Sequence, residues 1–250
     1  MSIKVRFLHL SLVLAAFPAP LFAGPLHDAI RDGDLRAAKA LVENANLEES
    51  DFILGTPLHV AVNTGNTAMM ELLIAAGSSI EAPSELLGMR PIHLAINTGD
   101  ADILRFLISS GADVNAITTV QGETALHIAV RLGNEDLVGV LIENSALVDK
   151  TELNEGYTPL HSASLKGSEA IVRRLIKAGA DPEAKTATGQ TPFMLAATQE
   201  SVANVGGFSL MRFLAELGVD LDAADTAGLT ALSMAAGRGG GLRRNCGRFA

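Results

Sequence analysis

Apolar residues recur along the chain in short bursts at helical spacing. Ile103, Leu104, Phe106 and Leu107 form one burst, and Ile171, Val172, Leu175 and Ile176 form another. Steps of three and four residues place such a set on one face of a helix. These bursts close at a glycine: Gly77, Gly111, Gly179 or Gly218. Ahead of each lies a shorter apolar segment that opens on Pro or Ala and closes at Gly33, Gly65, Gly99, Gly133 or Gly167. Proline suits a first helical turn, where its missing N–H has no helical partner to lose. Glycine suits the left-handed residue that ends a helix. The pattern predicts pairs of short helices, each pair followed by a polar stretch of about ten residues.

The pairs are copies of one another. Thr56-Pro57-Leu58-His59-Val60-Ala61 returns as Arg90-Pro91-Ile92-His93-Leu94-Ala95, as Thr124-Ala125-Leu126-His127-Ile128-Ala129 and as Thr158-Pro159-Leu160-His161-Ser162-Ala163. Weaker copies are Pro25-Leu26-His27-Asp28-Ala29, Thr191-Pro192-Phe193-Met194-Leu195-Ala196 and Thr230-Ala231-Leu232-Ser233-Met234-Ala235. From His27 the steps are 32, 34, 34 and 34 residues, then 33 to Met194 and 39 to Ser233. A Thr-Pro-Leu-His-x-Ala signature at this period resembles the ankyrin repeat family, over residues 25–237. The resemblance implies an all-α solenoid of helix-turn-helix pairs with projecting hairpin-like fingers, about six full repeats plus a partial seventh. The physics agrees: one helix pair cannot bury its apolar face alone, and stacking joins the faces into one core. Ala61, Ala95, Ala129 and Ala163 allow close helix approach.

Several copies deviate. The extra residue in three consecutive repeats falls in the finger, at Pro83–Leu87, Ile117–Gln121 and Thr151–Glu155. Repeat six has about six additional residues around Glu200–Gly207, which read as a loop because Gly206 and Gly207 follow. Arg90 stands where the signature has Thr, removing a hydroxyl that supports the next His in family members. The seventh copy stops after one helix, ended by Gly237 and Gly239–Gly241.

Residues 1–23 have a different character. Lys4 and Arg6 precede an apolar run from Phe7 to Phe17, followed by Pro18, Pro20 and Ala23. This is the pattern of a secretory signal peptide cleaved after Ala23, although Leu21 sits where a small residue is preferred. The run is too short for a bilayer, which needs about 20 residues, so no membrane insertion is expected after cleavage. The expected organisation is a signal peptide at 1–23, the repeat domain at 24–237 and a Gly/Arg-rich tail at 238–250. The expected location is exported, in a periplasm or secreted.

Charge narrows the partner. The full chain carries 19 basic and 28 acidic residues, net -9. Without Lys4, Arg6 and the tail's Arg238, Arg243, Arg244 and Arg248, the solenoid has 13 basic against 28 acidic residues, a charge of -15. Such a surface is a poor grip for phosphate backbones, and with aromatic residues at 4% it lacks stacking platforms for single strands. No nucleic-acid partner is expected.

Catalytic and metal chemistry finds little material. Of six histidines, five (His27, His59, His93, His127, His161) are in phase with the repeats, and His9 lies in the signal peptide. Equivalent positions in stacked repeats are roughly 10 Å apart, too far to share a zinc ion that needs ligands at about 2 Å. The lone Cys246 rules out an intrachain disulfide. Carboxylate groups such as Glu48, Glu49 and Asp51, or Asp220, Asp222 and Asp225, fit turn capping better than acid–base work. There is no phosphate-binding or dinucleotide fingerprint. The expectation is no enzyme, no cofactor and no metal. A monomer is expected, with Cys246 available for an interchain disulfide and a self-assembling solenoid as the structural alternative.

The function expected is that of an exported protein-binding module, and the alternative is a secreted effector acting on a protein in another cell. Fingers three to five carry Leu86 and Leu87, then Ile117 and Val120, then Leu153 with Tyr157 nearby. An aligned apolar row of this kind resembles an interface core. The resemblance adds the pairs that precede the first helix-ending glycine: Asn63 and Thr64, Asn97 and Thr98, Arg131 and Leu132, Leu165 and Lys166. Fingertips and concave face together form the candidate protein-binding surface. The competing expectation is that each apolar tip packs on its neighbouring finger.

Overall fold

The computed structural model describes residues 24–51, 54–198 and 205–238. Residues 1–23, where a signal peptide is expected, and the tail beyond Arg238 with Cys246 lie outside the described residues. Among the described residues thirteen helices alternate in two layers. The inner layer holds α1 (Pro25–Arg31), α3 (Pro57–Asn63), α5 (Pro91–Thr98), α7 (Ala125–Leu132), α9 (Pro159–Lys166), α11 (Pro192–Ala197) and α13 (Ala231–Arg238). The outer layer holds α2 (Leu35–Val42), α4 (Thr67–Ala75), α6 (Ala101–Ser109), α8 (Glu135–Glu143), α10 (Glu169–Lys177) and α12 (Val205–Glu216). Each inner helix packs on the outer helix that follows it and on the next inner helix. Among the described residues the fingers form no strand, only isolated bridges such as Ile117 with Thr124. This is an ankyrin-type solenoid of about six repeats, with α13 as the seventh.

The local signals act as read. Proline opens α1, α3, α5, α9 and α11. Asp34, Asn66, Asp100 and Asn134 cap the outer helices by accepting backbone N–H groups two or three residues on, which satisfies donors the helix itself leaves open. The core runs the length of the stack: Leu58, Ile92, Leu126 and Leu160 are fully buried, as are the four motif alanines. Acidic groups stitch neighbouring fingers. Glu48, Glu81, Asp149 and Glu183 accept the backbone N–H of Ser79, Asp113, Asp181 and Asp220 one repeat further on.

Two expectations need correction, and a third gains a compensating contact. Gly206 and Gly207 lie in the first turn of α12, not in a loop. Burial of Leu210 and Leu214 on that helix outweighs a helix penalty of about 1 kcal/mol per glycine. The remaining loop residues, 199–204, lie outside the described residues. Gly237 sits inside α13, which runs to Arg238. Arg90 does remove a supporting hydroxyl, since Thr56, Thr124 and Thr158 place theirs 2.7–2.8 Å from the Nδ1 of His59, His127 and His161, and at His93 only the backbone donor remains. That bond comes from the Arg90 backbone N–H, while its guanidinium donates to the carbonyls of Glu81 and Ile117 at 3.1 and 2.6 Å. Arg90 therefore ties one finger to the next.

The outer helices of four repeats end on left-handed Gly77, Gly111, Gly179 and Gly218, but α8 ends on Ser145, the one described non-glycine residue at positive φ, 66°. A Cβ in this region costs about 1 kcal/mol. Ser145→Gly is expected to raise stability by about that amount, read as a higher urea midpoint at unchanged m-value; an unchanged or lower midpoint would show that the serine side chain compensates.

Candidate functional site

The histidines sort first, because their geometry settles their role. The Thr56 N–H donates to His59 Nδ1 at 3.1 Å, so Nδ1 carries no proton and Nε2–H donates to the Met89 carbonyl at 2.9 Å. His93 accepts from the Arg90 N–H and donates to Ala116, His127 accepts from Thr124 and donates to Tyr157, and His161 accepts from Thr158 and donates to Ala184 and Gln190. His27 donates to the Gly55 carbonyl at 3.1 Å. Each imidazole joins an inner helix to the finger of the next repeat. Burial pushes His59, His93, His127 and His161 down from the ordinary imidazole value, against the upward pull of the carbonyls they donate to; His93 falls to about 4. These rings are neutral with both nitrogens engaged, which leaves them nothing to offer a metal or a nucleophile. In the sixth repeat Met194 Sδ takes the acceptor role, 3.3 Å from the Thr191 N–H.

The fingers hydrogen-bond into a ribbon. The Gly88 carbonyl accepts from Thr119 N–H, Gln121 from Leu153, Glu155 from Ala187 and Thr188 from Thr226. Along its tips Leu86, Leu87, Ile117, Val120 and Leu153 are exposed, Val120 and Leu153 at 60% and 68%. Leu153 leans over Gly122 and still presents most of its surface to solvent, so packing on the neighbour accounts for only part of it.

Between the ribbon and the inner helices, repeats four and five form a groove of about 440 Å³. Four sequence candidates meet there: Arg131, Tyr157, Leu165 and Lys166. Leu132, exposed at 48%, is the neighbour of Arg131 on the last turn of α7. Asn97 and Thr98 are exposed on α5 outside the groove, and Leu86, Leu87, Ile117, Val120 and Leu153 line the fingertips rather than the groove. Sequence reasoning missed Gln121, Glu123, Glu152, Asn154, Glu155 and Ser162. Gln121 and Glu155 close the two finger segments that carry the inserted residue, so the signal was present.

Inside the groove, Arg131 clasps Glu123 through Nε and Nη2 at 3.3 and 3.0 Å. Lys166 Nζ donates to the Arg131 carbonyl at 2.8 Å. Tyr157 stacks on His161 with ring centroids 5.8 Å apart. Glu152 accepts the backbone N–H groups of Asn154, Glu155 and Tyr157. Burial alone would raise its carboxyl, but those donors outweigh it and hold Glu152 below the usual carboxylate value. The described residues hold no group of three or more His, Cys, Asp or Glu arranged for a metal ion, and no described helix is long and apolar enough to cross a membrane.

Comparison with known proteins bears on the fold directly. The crystal structure of the ankyrin repeat domain of Bcl-3, a member of the IkappaB protein family, superposes with a TM-score of 0.74 at 29% identity, covering 85% of this chain and 93% of that one. A comparison with curated proteins finds no match. The family model for ankyrin repeats (3 copies) matches residues 26–118 and again 92–186. Most of the chain, with its histidine ladder and its stacked helix pairs, is covered by that model, and the chain belongs to the ankyrin repeat family.

Proposed function

We propose that this protein is an exported, non-enzymatic module that binds a protein partner through its concave face and fingertips. The observation that carries the reading is the groove of repeats four and five beneath a fingertip row of exposed aliphatic residues. Natural solvated loop tips do not collect Leu, Ile and Val without a surface to meet. The engaged histidines support a binding role over a catalytic one. Export rests on the charged head, apolar run and small residue of positions 4–23.

The test places a photo-crosslinking amino acid at Leu87, Leu132 or Leu153, with the outward-facing Arg105 on α6 as control, in the cells that make the protein. Protein adducts from the first three sites and none from Arg105 are expected; adducts only from Arg105 would end the concave-face reading. Leu87→Ala, Ile117→Ala and Leu153→Ala should each cost roughly 1–2 kcal/mol of partner affinity with stability nearly unchanged. If they weaken folding instead and leave affinity intact, the tips are packing residues. N-terminal sequencing of the exported product should begin near Gly24, and a retained Met1 on cytoplasmic protein would sink the export claim.

A further inference from the structure

The two positions before the inner helix-ending glycine change character along the stack. In repeats two and three they are Asn63–Thr64 and Asn97–Thr98, and the threonine hydroxyls donate back to the Ala61 and Ala95 carbonyls at 3.1 and 2.8 Å. In repeats four and five they are Arg131–Leu132 and Leu165–Lys166, with Leu132 and Leu165 exposed at 48% and 37%. Self-bonded polar residues give way to bare leucines only over these two repeats: Leu165 lines the groove, and Leu132 follows the groove residue Arg131 on the last turn of α7.

The groove's charges are unequal in their commitments. Arg131 is clasped by Glu123. Lys166 sits over the end of α7 on the Arg131 carbonyl, where the helix dipole concentrates negative charge. Both cations are thus largely answered from within. On the finger lip Glu152 is likewise answered, by three backbone N–H groups, whereas exposed Glu155 beside it makes no ion pair among the described residues. The solenoid as a whole carries 28 acidic against 13 basic residues, a field that draws cationic partners in and turns anionic ones away.

We propose that the groove takes a segment of a partner protein with a lysine or arginine at one end, received by Glu155, and a leucine-sized aliphatic residue at the other, seated on Leu165 with Leu132 beside it. This rests on the protein-binding reading above and specifies its partner. Glu155 precedes the start of α9 and Leu165 lies on its last turn, so the length of α9, 8 residues or about 12 Å at helical rise, sets the scale of their separation. Cation and aliphatic residue are therefore roughly seven or eight residues apart in a helical partner, or about four apart in an extended one.

The experiment selects a displayed library of random peptides on the purified full chain, then measures the enriched peptides in solution. Enriched sequences should be basic, with Leu, Ile or Val at that distance from Lys or Arg. Their affinity should fall about tenfold or more with Glu155→Lys and with Leu165→Ser at unchanged melting temperature, and fall again as salt is raised. Enrichment of acidic or uncharged peptides, no enrichment, or variants that bind equally would overturn the proposal. If that happens while crosslinks from Leu132 and Leu153 persist, the partner chemistry is wrong and the binding surface stands; loss of those crosslinks removes both.

Discussion

Acidification from neutral pH to about pH 4 is expected to unfold the solenoid, with the loss beginning near pH 6.5. The cause is the histidine ladder. A proton on Nδ1 of His59, His93, His127 or His161 would face the backbone N–H that now donates to it. In the unfolded chain each imidazole titrates at its ordinary value of 6.5, while in the folded chain burial holds all four lower and His93 at about 4. Between these values the unfolded state binds more protons, so stability is full above pH 6.5 and is lost as pH falls. His93 alone accounts for roughly 3 kcal/mol of that loss, a large part of the total for a domain of ordinary stability. Urea titrations at a series of pH values should show stability falling below pH 6.5, with His93 supplying up to about one proton of the slope near pH 5 and the other three adding to it. His93→Gln keeps an acceptor at the N3 position of its helix but cannot take up a proton there. It should cost about 1 kcal/mol at pH 7 and remove one proton from the slope. A stability curve flat between pH 7 and pH 5 would show that the ladder tolerates charge.

The stack is legible from sequence because its signals are local and repeat. Thr-Pro-Leu-His-x-Ala states a cap, a first turn, a core contact and an inter-repeat bond within six residues, and a helix pair has few other ways to satisfy them. Arg90 is half legible: the lost hydroxyl is real, as the Thr–His pairs of the other repeats show, but the backbone N–H that remains is one any residue other than proline supplies. Gly206 and Gly207 mislead because propensity is weaker than burial of Leu210 and Leu214. The candidate site is half visible. Arg131, Tyr157, Leu165 and Lys166 occupy motif-phased positions, but Glu155 and Gln121 matter through their place across a groove, which one repeat read alone does not contain. The finger ribbon is also hidden, since its bonds join backbone atoms of separate copies.

That ribbon gives the second large effect, Gly88→Ala, expected to cost about 2–4 kcal/mol. Two penalties add. Gly88 has φ of +60°, where a side chain costs about 1 kcal/mol. Its Cβ would also fall on Thr119 Oγ1 and come within 2.8 Å of the Thr119 backbone nitrogen, an overpacking that typically costs about 1–3 kcal/mol. Gly111 isolates the first penalty: φ is +99° and a methyl added there would meet nothing within 4 Å, so Gly111→Ala should lose only about 1 kcal/mol. The difference between the two variants measures how tightly fingers three and four are held. Thr119→Ala in the Gly88→Ala background removes the hydroxyl but not the backbone contact, so it should restore part of the loss and no more. Equal costs for Gly88→Ala and Gly111→Ala would mean that the fingers separate freely. The ribbon would then be too loose to present Leu86, Leu87, Ile117 and Val120 as one surface, and the fingertip half of the binding site would have to be abandoned while the groove between α7 and α9 remained.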